Sequence, residues 1–177
     1  MNIHVNDHAN ALPVGTWRLD PDRTTITVTA TKLGFFSVPA TLAVSAGTIE
    51  IGTDEQVAAV EVIADAGSYT SRNDKRNDHV RSADFLDADN HPELVFRAET
   101  ISPVDPGYRA VGSVAVKGQR SPLSIDVTDL EVDAGHGSLT ATATVDRNAI
   151  GVGKFPSFII GRRLEISAAV HAVRADA

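Results

Sequence analysis

The chain contains no cysteine, which excludes a disulfide framework, a thiolate metal site and a thiol nucleophile. Aromatic residues make up only 5% of its 177 positions, so any core must rest on Val, Ile, Leu and Ala. Cations are also short: 16 Lys and Arg stand against 23 Asp and Glu, a net charge of −7. That balance argues against a nucleic-acid face, which needs clustered Lys and Arg along a phosphate backbone. The densest local group is Arg72, Lys75, Arg76 and Arg81. No stretch approaches the roughly 18 apolar residues of a membrane span, so no stable membrane insertion is expected. The first ten residues carry neither a basic region nor an apolar run of signal-peptide length, and the expected location is the cytoplasm. Gly-x-Ser-x-Gly and His-Glu-x-x-His are both absent, and Gly151-Val-Gly-Lys154 lacks the remainder of a phosphate loop.

What the chain does have is alternation. In Thr25-Ile-Thr-Val-Thr-Ala-Thr31 the residues Ile26, Val28 and Ala30 share one face and four threonines the other, the period of a half-buried strand. The same reading gives strands over 15–20, 40–44, 48–51, 57–66, 93–101, 108–117, 123–132, 138–146 and 164–173. Turn signals separate them at Ser102–Gly107, Lys117-Gly118 and Gly135-His-Gly137. The first 12 residues read as a flexible arm, and 13–177 as one domain. Many short antiparallel strands with tight turns make an all-β sandwich or barrel. A single short helix is expected over 74–82, started by Ser71-Arg-Asn-Asp74. The segment 148–161, with Gly151, Gly153 and Pro156, reads as a long loop.

The apolar faces are rich in small residues. Tyr108, Ala110, Gly112, Val114 and Val116 form one inward set, and Leu139, Ala141, Ala143 and Val145 another. A barrel walled by Ala and Gly leaves volume unfilled, whereas a sandwich would set these small residues against large ones. The pattern alone leaves both open.

Five ordered motifs then resemble the YceI family of polyisoprenoid- or lipid-binding barrels. They are Trp17-Arg-Leu-Asp-Pro21; the segment Ser68–Phe85 containing Arg76-Asn-Asp-His-Val-Arg-Ser82; Pro92-Glu-Leu-Val-Phe96; Val111-Gly-Ser-Val-Ala-Val-Lys-Gly118; and Arg147-Asn-Ala-Ile-Gly151. The chain departs from the family pattern at four places. Asn77 replaces an Asp, Leu86 a Phe and His91 a Tyr, and Asp22-Arg-Thr24 replaces a His-Ser pair. The first of these leaves Arg76 to pair with Asp74, Asp78 or Asp84. The resemblance implies a lipocalin-like, antiparallel up-and-down β-barrel of about eight strands that holds an isoprenoid chain and carries no catalytic residue.

On that reading the protein is not an enzyme, needs no cofactor or metal, and has a hydrophobic small molecule as its partner, as a monomer or homodimer. The wall residues expected to bury the ligand are Ile26, Val28, Leu42, Val62, Phe96, Tyr108, Val114, Leu139, Leu164 and Ile166. Phe35, Phe36, Phe85 and Phe158 would line the mouth, where Arg76 and His79 would meet a polar head. Trp17 reads as a plug at the barrel base, its indole N–H needing an acceptor. Two alternatives accompany this reading: a barrel filled by its own side chains, and an enzyme built on His79 with Asp78 or Asp84.

Overall fold

The computed structural model describes residues 3–4, 12–152 and 161–175. Among them are ten strands: β1 (Ile3–His4), β2 (Gly15–Leu19), β3 (Thr25–Lys32), β4 (Phe36–Ile51), β5 (Val57–Asp65), β6 (Glu93–Pro103), β7 (Tyr108–Val116), β8 (Gln119–Val132), β9 (His136–Asp146) and β10 (Arg163–Arg174). The helix α1 (Asp74–Arg81) lies between β5 and β6.

Every strand pair is antiparallel, and neighbours in sequence are neighbours in space from β3 to β10. The ring closes because β2 and β3 lie end to end in the slot between β4 and β10. The result is a lipocalin-like barrel with eight positions around its wall, not a sandwich. Of the N-terminal arm, Ile3 and His4 pair with Val132 and Glu131 on β8.

One element differs from its sequence reading. The segments 40–44 and 48–51 form a single 16-residue strand, because Ser45 is a bulge between Val44 and Ala46 and the pairing resumes at once. Gly47 sits beside the bulge where a Cβ would lie 2.8 Å from a Leu19 methyl, so β2 packs directly on β4 backbone. At Lys117-Gly118 both residues have positive φ, 54° and 73°, the geometry a two-residue hairpin needs to match strand twist.

The barrel has two ends. The turns at residues 52–56, 104–107 and 133–135 form the base, and 20–24 join β2 to β3 part-way up the wall. The β3–β4 tip, the segment 66–92 with α1, the β7–β8 turn and the described residues 147–152 and 161–162 beside β9 and β10 form the helix end. Stacked layers of side chains line the tube between them. At the base Trp17, Ile51 and Ala172 pack together. Above them come Leu19, Val44 and Val170, and alongside these Phe96, Ala110, Leu123 and Val145. The helix end is sealed by Phe85, Val116 and Val152.

Candidate ligand cavity

The inward side chains of the lower half do not fill the tube. They leave a cavity of about 170 Å³, measured as space open to the centre of a water molecule, to which no polar atom is exposed. Trp17, Ile49, Val62, Phe96, Tyr108 and Leu139 line it among larger residues, and Ala110, Gly137, Ala141 and Ala172 among smaller ones. Period-2 alternation puts these residues on one face of their strands, and the small ones create the room. Trp17 is 5% exposed, and its Nε1 donates to the Pro13 carbonyl at 3.3 Å. The indole therefore meets the cavity with its apolar body only. A void of this size gives up roughly 4 kcal/mol of packing at about 24 cal/mol per Å³, energy that an apolar occupant would restore.

Of the wall residues read from sequence, Val62, Phe96, Tyr108 and Leu139 line the cavity. Val114, Leu164 and Ile166 pack one layer higher, around Phe96 and Val145, and Ile26 packs against the Leu19, Val44 and Val170 layer. Leu42 is paired with Ile26, and Val28 with Ala40, on the inward side of the β3–β4 ladder. Phe35 and Phe36 meet with tilted rings, centroids 4.6 Å apart, on the β3–β4 tip, 76% and 53% exposed. Phe158 lies outside the described residues.

Arg76, His79 and Phe85 are grouped at the helix end and do not line the cavity. Phe85 points down into the seal, and His79 meets its ring edge-on at 4.9 Å. His79 Nε2 is 3.6 Å from Asp84, both side chains being about half exposed. Arg76 Nη1 donates to Ser71 Oγ at 3.5 Å, so its partner is a hydroxyl on the preceding turn. Burial raises the Tyr69 hydroxyl above its usual pKa, and the Arg76 charge opposes that rise. Among the described residues no three His, Asp or Glu side chains converge as metal ligands, and no helix is long and apolar enough to cross a membrane.

The helix is held by side-chain to main-chain bonds. Asn73 caps it, accepting from Arg76 N–H at 3.0 Å. Asn77, 4% exposed, accepts from Ser71 N–H at 2.7 Å and donates through Nδ2 to the Ser71 carbonyl at 3.2 Å. An ionised Asp could not make that donation, so Asn77 fits the turn by itself. Arg81 Nε donates to the Tyr69 carbonyl at 2.9 Å, and its Nη2 reaches Tyr69 and Thr70. Thr70 in turn pairs with Thr41 of β4, so Arg81 fastens the helix to the wall. Arg81→Ala should cost about 2 kcal/mol, as expected for charge-assisted bonds to a half-buried carbonyl. Chemical denaturation should show a lower midpoint and an unchanged slope.

Sequence reading did not single out the base-end residues Leu12, Leu19, Ile49, Ile51 and Val132, which also line the cavity. Register brings them together where Trp17 lies over Gly137, whose added Cβ would be 3.7 Å from the indole, and no local pattern carries that.

A search among curated proteins finds no match to this sequence. Solved structures match it closely in fold. The Burkholderia cenocepacia protein BcnA superposes with a TM-score of 0.74 at 18% identity, over 86% of this chain and 98% of that one. A polyisoprenoid binding domain from Saccharophagus degradans, implicated in plant cell wall breakdown, gives 0.62 at 9% identity, over 89% and 98%. A mutant Campylobacter jejuni YCEI protein gives 0.61 at 13% identity, over 71% and 78%. These identities establish a shared barrel and nothing finer. The sequence itself matches the YceI-like domain over residues 17–172, nearly the whole barrel, and the chain belongs to the YceI family.

Proposed function

We propose that the barrel carries an isoprenoid or similar long apolar chain, bound without covalent chemistry. The observation that supports this most is the base-end cavity, walled by Val, Ile, Leu, Trp, Phe and Ala and presenting no polar atom. Such a space attracts a hydrocarbon and offers nothing to a reacting polar group. His79, the best candidate acid–base residue, is not among the residues lining it.

The cavity's size sets the expected ligand series. A void of about 150 Å³ holds a benzene-sized guest, so about 170 Å³ accepts little more than one five-carbon unit. The roughly 4 kcal/mol such a guest would restore corresponds to millimolar affinity. Each further unit adds apolar burial at about 0.8 kcal/mol per CH₂, less the freedom the chain loses, and needs the small-residue layers above the cavity. Affinity should therefore climb with prenol length. Trp17 is the only tryptophan in the chain and faces the cavity, so its fluorescence reports occupancy. Titrating delipidated protein with C5, C10, C15 and C20 prenols should show a Kd falling at least ~100-fold from C5 to C15. Absence of a fluorescence change with every prenol, or affinity independent of length, would overturn the proposal.

A further inference from the structure

The wall is not hydrogen-bonded along its full height. The β8–β9 ladder begins at Val132↔Gly137 and ends at Asp126↔Thr142. Beyond that rung, 119–125 of β8 pair only with β7, and 143–146 of β9 only with β10. Above the opening, Ser121 Oγ donates to the Ala149 carbonyl at 3.1 Å. A window remains between the last rung below and this bridge above, about four residues or ~13 Å tall. Pro122 stands at its β8 edge. A residue without an N–H suits a strand side with no partner.

A cleft opens over this window, lined by Pro122, Leu123 and Ser124 on one side and Ala143 and Thr144 on the other, with Ile166 also in contact. Leu123, Ala143 and Ile166 are not surface decoration. They pack with Phe96 and Ala110 in the barrel core. The next inward residues toward the base on the same two strands are Ile125 and Ala141, and both line the cavity. One step along each strand, about 7 Å, therefore separates cleft from cavity. Large side chains pack at both ends of the tube, Phe85 with Val116 and Val152 at one and Trp17 with Ile51 at the other.

From this geometry we infer that the β8–β9 window is the side portal through which the apolar chain enters and leaves. The portal rests on the carrier reading above and adds the route. Phe96 and Leu123 are the side chains that must yield, and Ala143 keeps the passage narrow but passable. Sliding β9 against the upper half of β8 breaks no ladder bond, and the same holds for β5 and β6 on the base side of Glu61↔Arg97, which is the competing gap; a route between β6 and β8 would have to part a paired ladder.

A staple tests this cleanly, since the chain has no cysteine. Extending the rung Asp126↔Thr142 by two residues places Ser124 opposite Thr144, so Ser124→Cys/Thr144→Cys bridged by a short bis-maleimide pins the window. The control staple joins Glu61→Cys and Arg97→Cys, the rung at which the β5–β6 ladder stops, so that it pins the competing gap. Farnesol association and dissociation are followed by stopped-flow Trp17 fluorescence. Expected is a slowing of both rates by at least tenfold in the window staple, with the equilibrium Kd within about threefold of the unstapled protein and the control unaffected. Ala143→Phe, which narrows the passage without a cross-link, should slow exchange in the same way. Unchanged rates with farnesol still bound would overturn the portal and leave the carrier reading standing. Equal slowing by both staples would also overturn it. No binding to any form would remove the carrier reading and the portal with it.

Discussion

Ala110→Leu combined with Ala141→Leu should abolish prenol binding while leaving the barrel folded. Both alanines face the cavity from neighbouring parts of the wall, and the two changes add six carbons to a space of about 170 Å³. Six carbons, as benzene, fill an engineered void of about 150 Å³, so the variant would supply its own guest. The void's cost of roughly 4 kcal/mol would be partly recovered, offset by about 1–3 kcal/mol wherever the new rotamers are forced. Thermal stability should accordingly change by only a few degrees in either direction, and farnesol affinity by at least ~100-fold. The pairing of outcomes is what discriminates. A barrel that lost its fold would lose both, and a site elsewhere would lose neither. Circular dichroism melting and the Trp17 titration on the same preparation give the two readings.

The inward faces of the wall were legible in sequence because a strand has only two sides. Thr25–Thr31 shows this plainly: its threonines and its Ile-Val-Ala series separate without reference to any other strand, and the β3–β10 and β3–β4 ladders respect that division. Val62, Phe96, Tyr108 and Leu139 were assigned inward on the same ground. Which end of the tube stays empty was not legible. That depends on Trp17, Gly137 and Ala172, from three different strands, meeting at one level, a matter of register and stagger that no local pattern carries. The bulge at Ser45 misled for a related reason. Read locally it breaks the alternation, whereas in the wall it bends β4 around Leu19. The charged segment around α1 drew attention as a head-group site. Arg81 spends its guanidinium on the Tyr69 carbonyl, and that choice is set by how the segment folds back on β4. Pro122 was the one local hint of the unpaired window, and its meaning appears only once the β8–β9 ladder is seen to stop at Asp126.

Arg147→Ala should be the most destabilising single change at the helix end. The side chain is 3% exposed, and burial lowers its pKa from the usual arginine value. Its Nε donates to the Gly161 carbonyl at 2.9 Å and its Nη1 to the Val152 carbonyl at 3.3 Å, so one guanidinium ties both stems of the β9–β10 connection. Next to it Asp146 takes Arg162, at 2.8 Å, which holds that carboxyl below its usual range. Truncation strands the buried Val152 carbonyl and the part-buried Gly161 carbonyl and frees Val152 from the Phe85 and Val116 seal, a loss of about 3–5 kcal/mol. For a chain of this size that is on the order of 10 °C in melting temperature. The comparison that fixes the cause is Arg147→Lys. A lysine keeps the charge and the stem but is a point donor without the planar fork, so it can serve one carbonyl and must leave the other unpaired. If the guanidinium acts by its geometry, the Lys variant melts nearly as low as the Ala variant. Recovery of most of the lost stability by Lys would mean that charge alone holds the connection, and the bidentate tie would have to be abandoned.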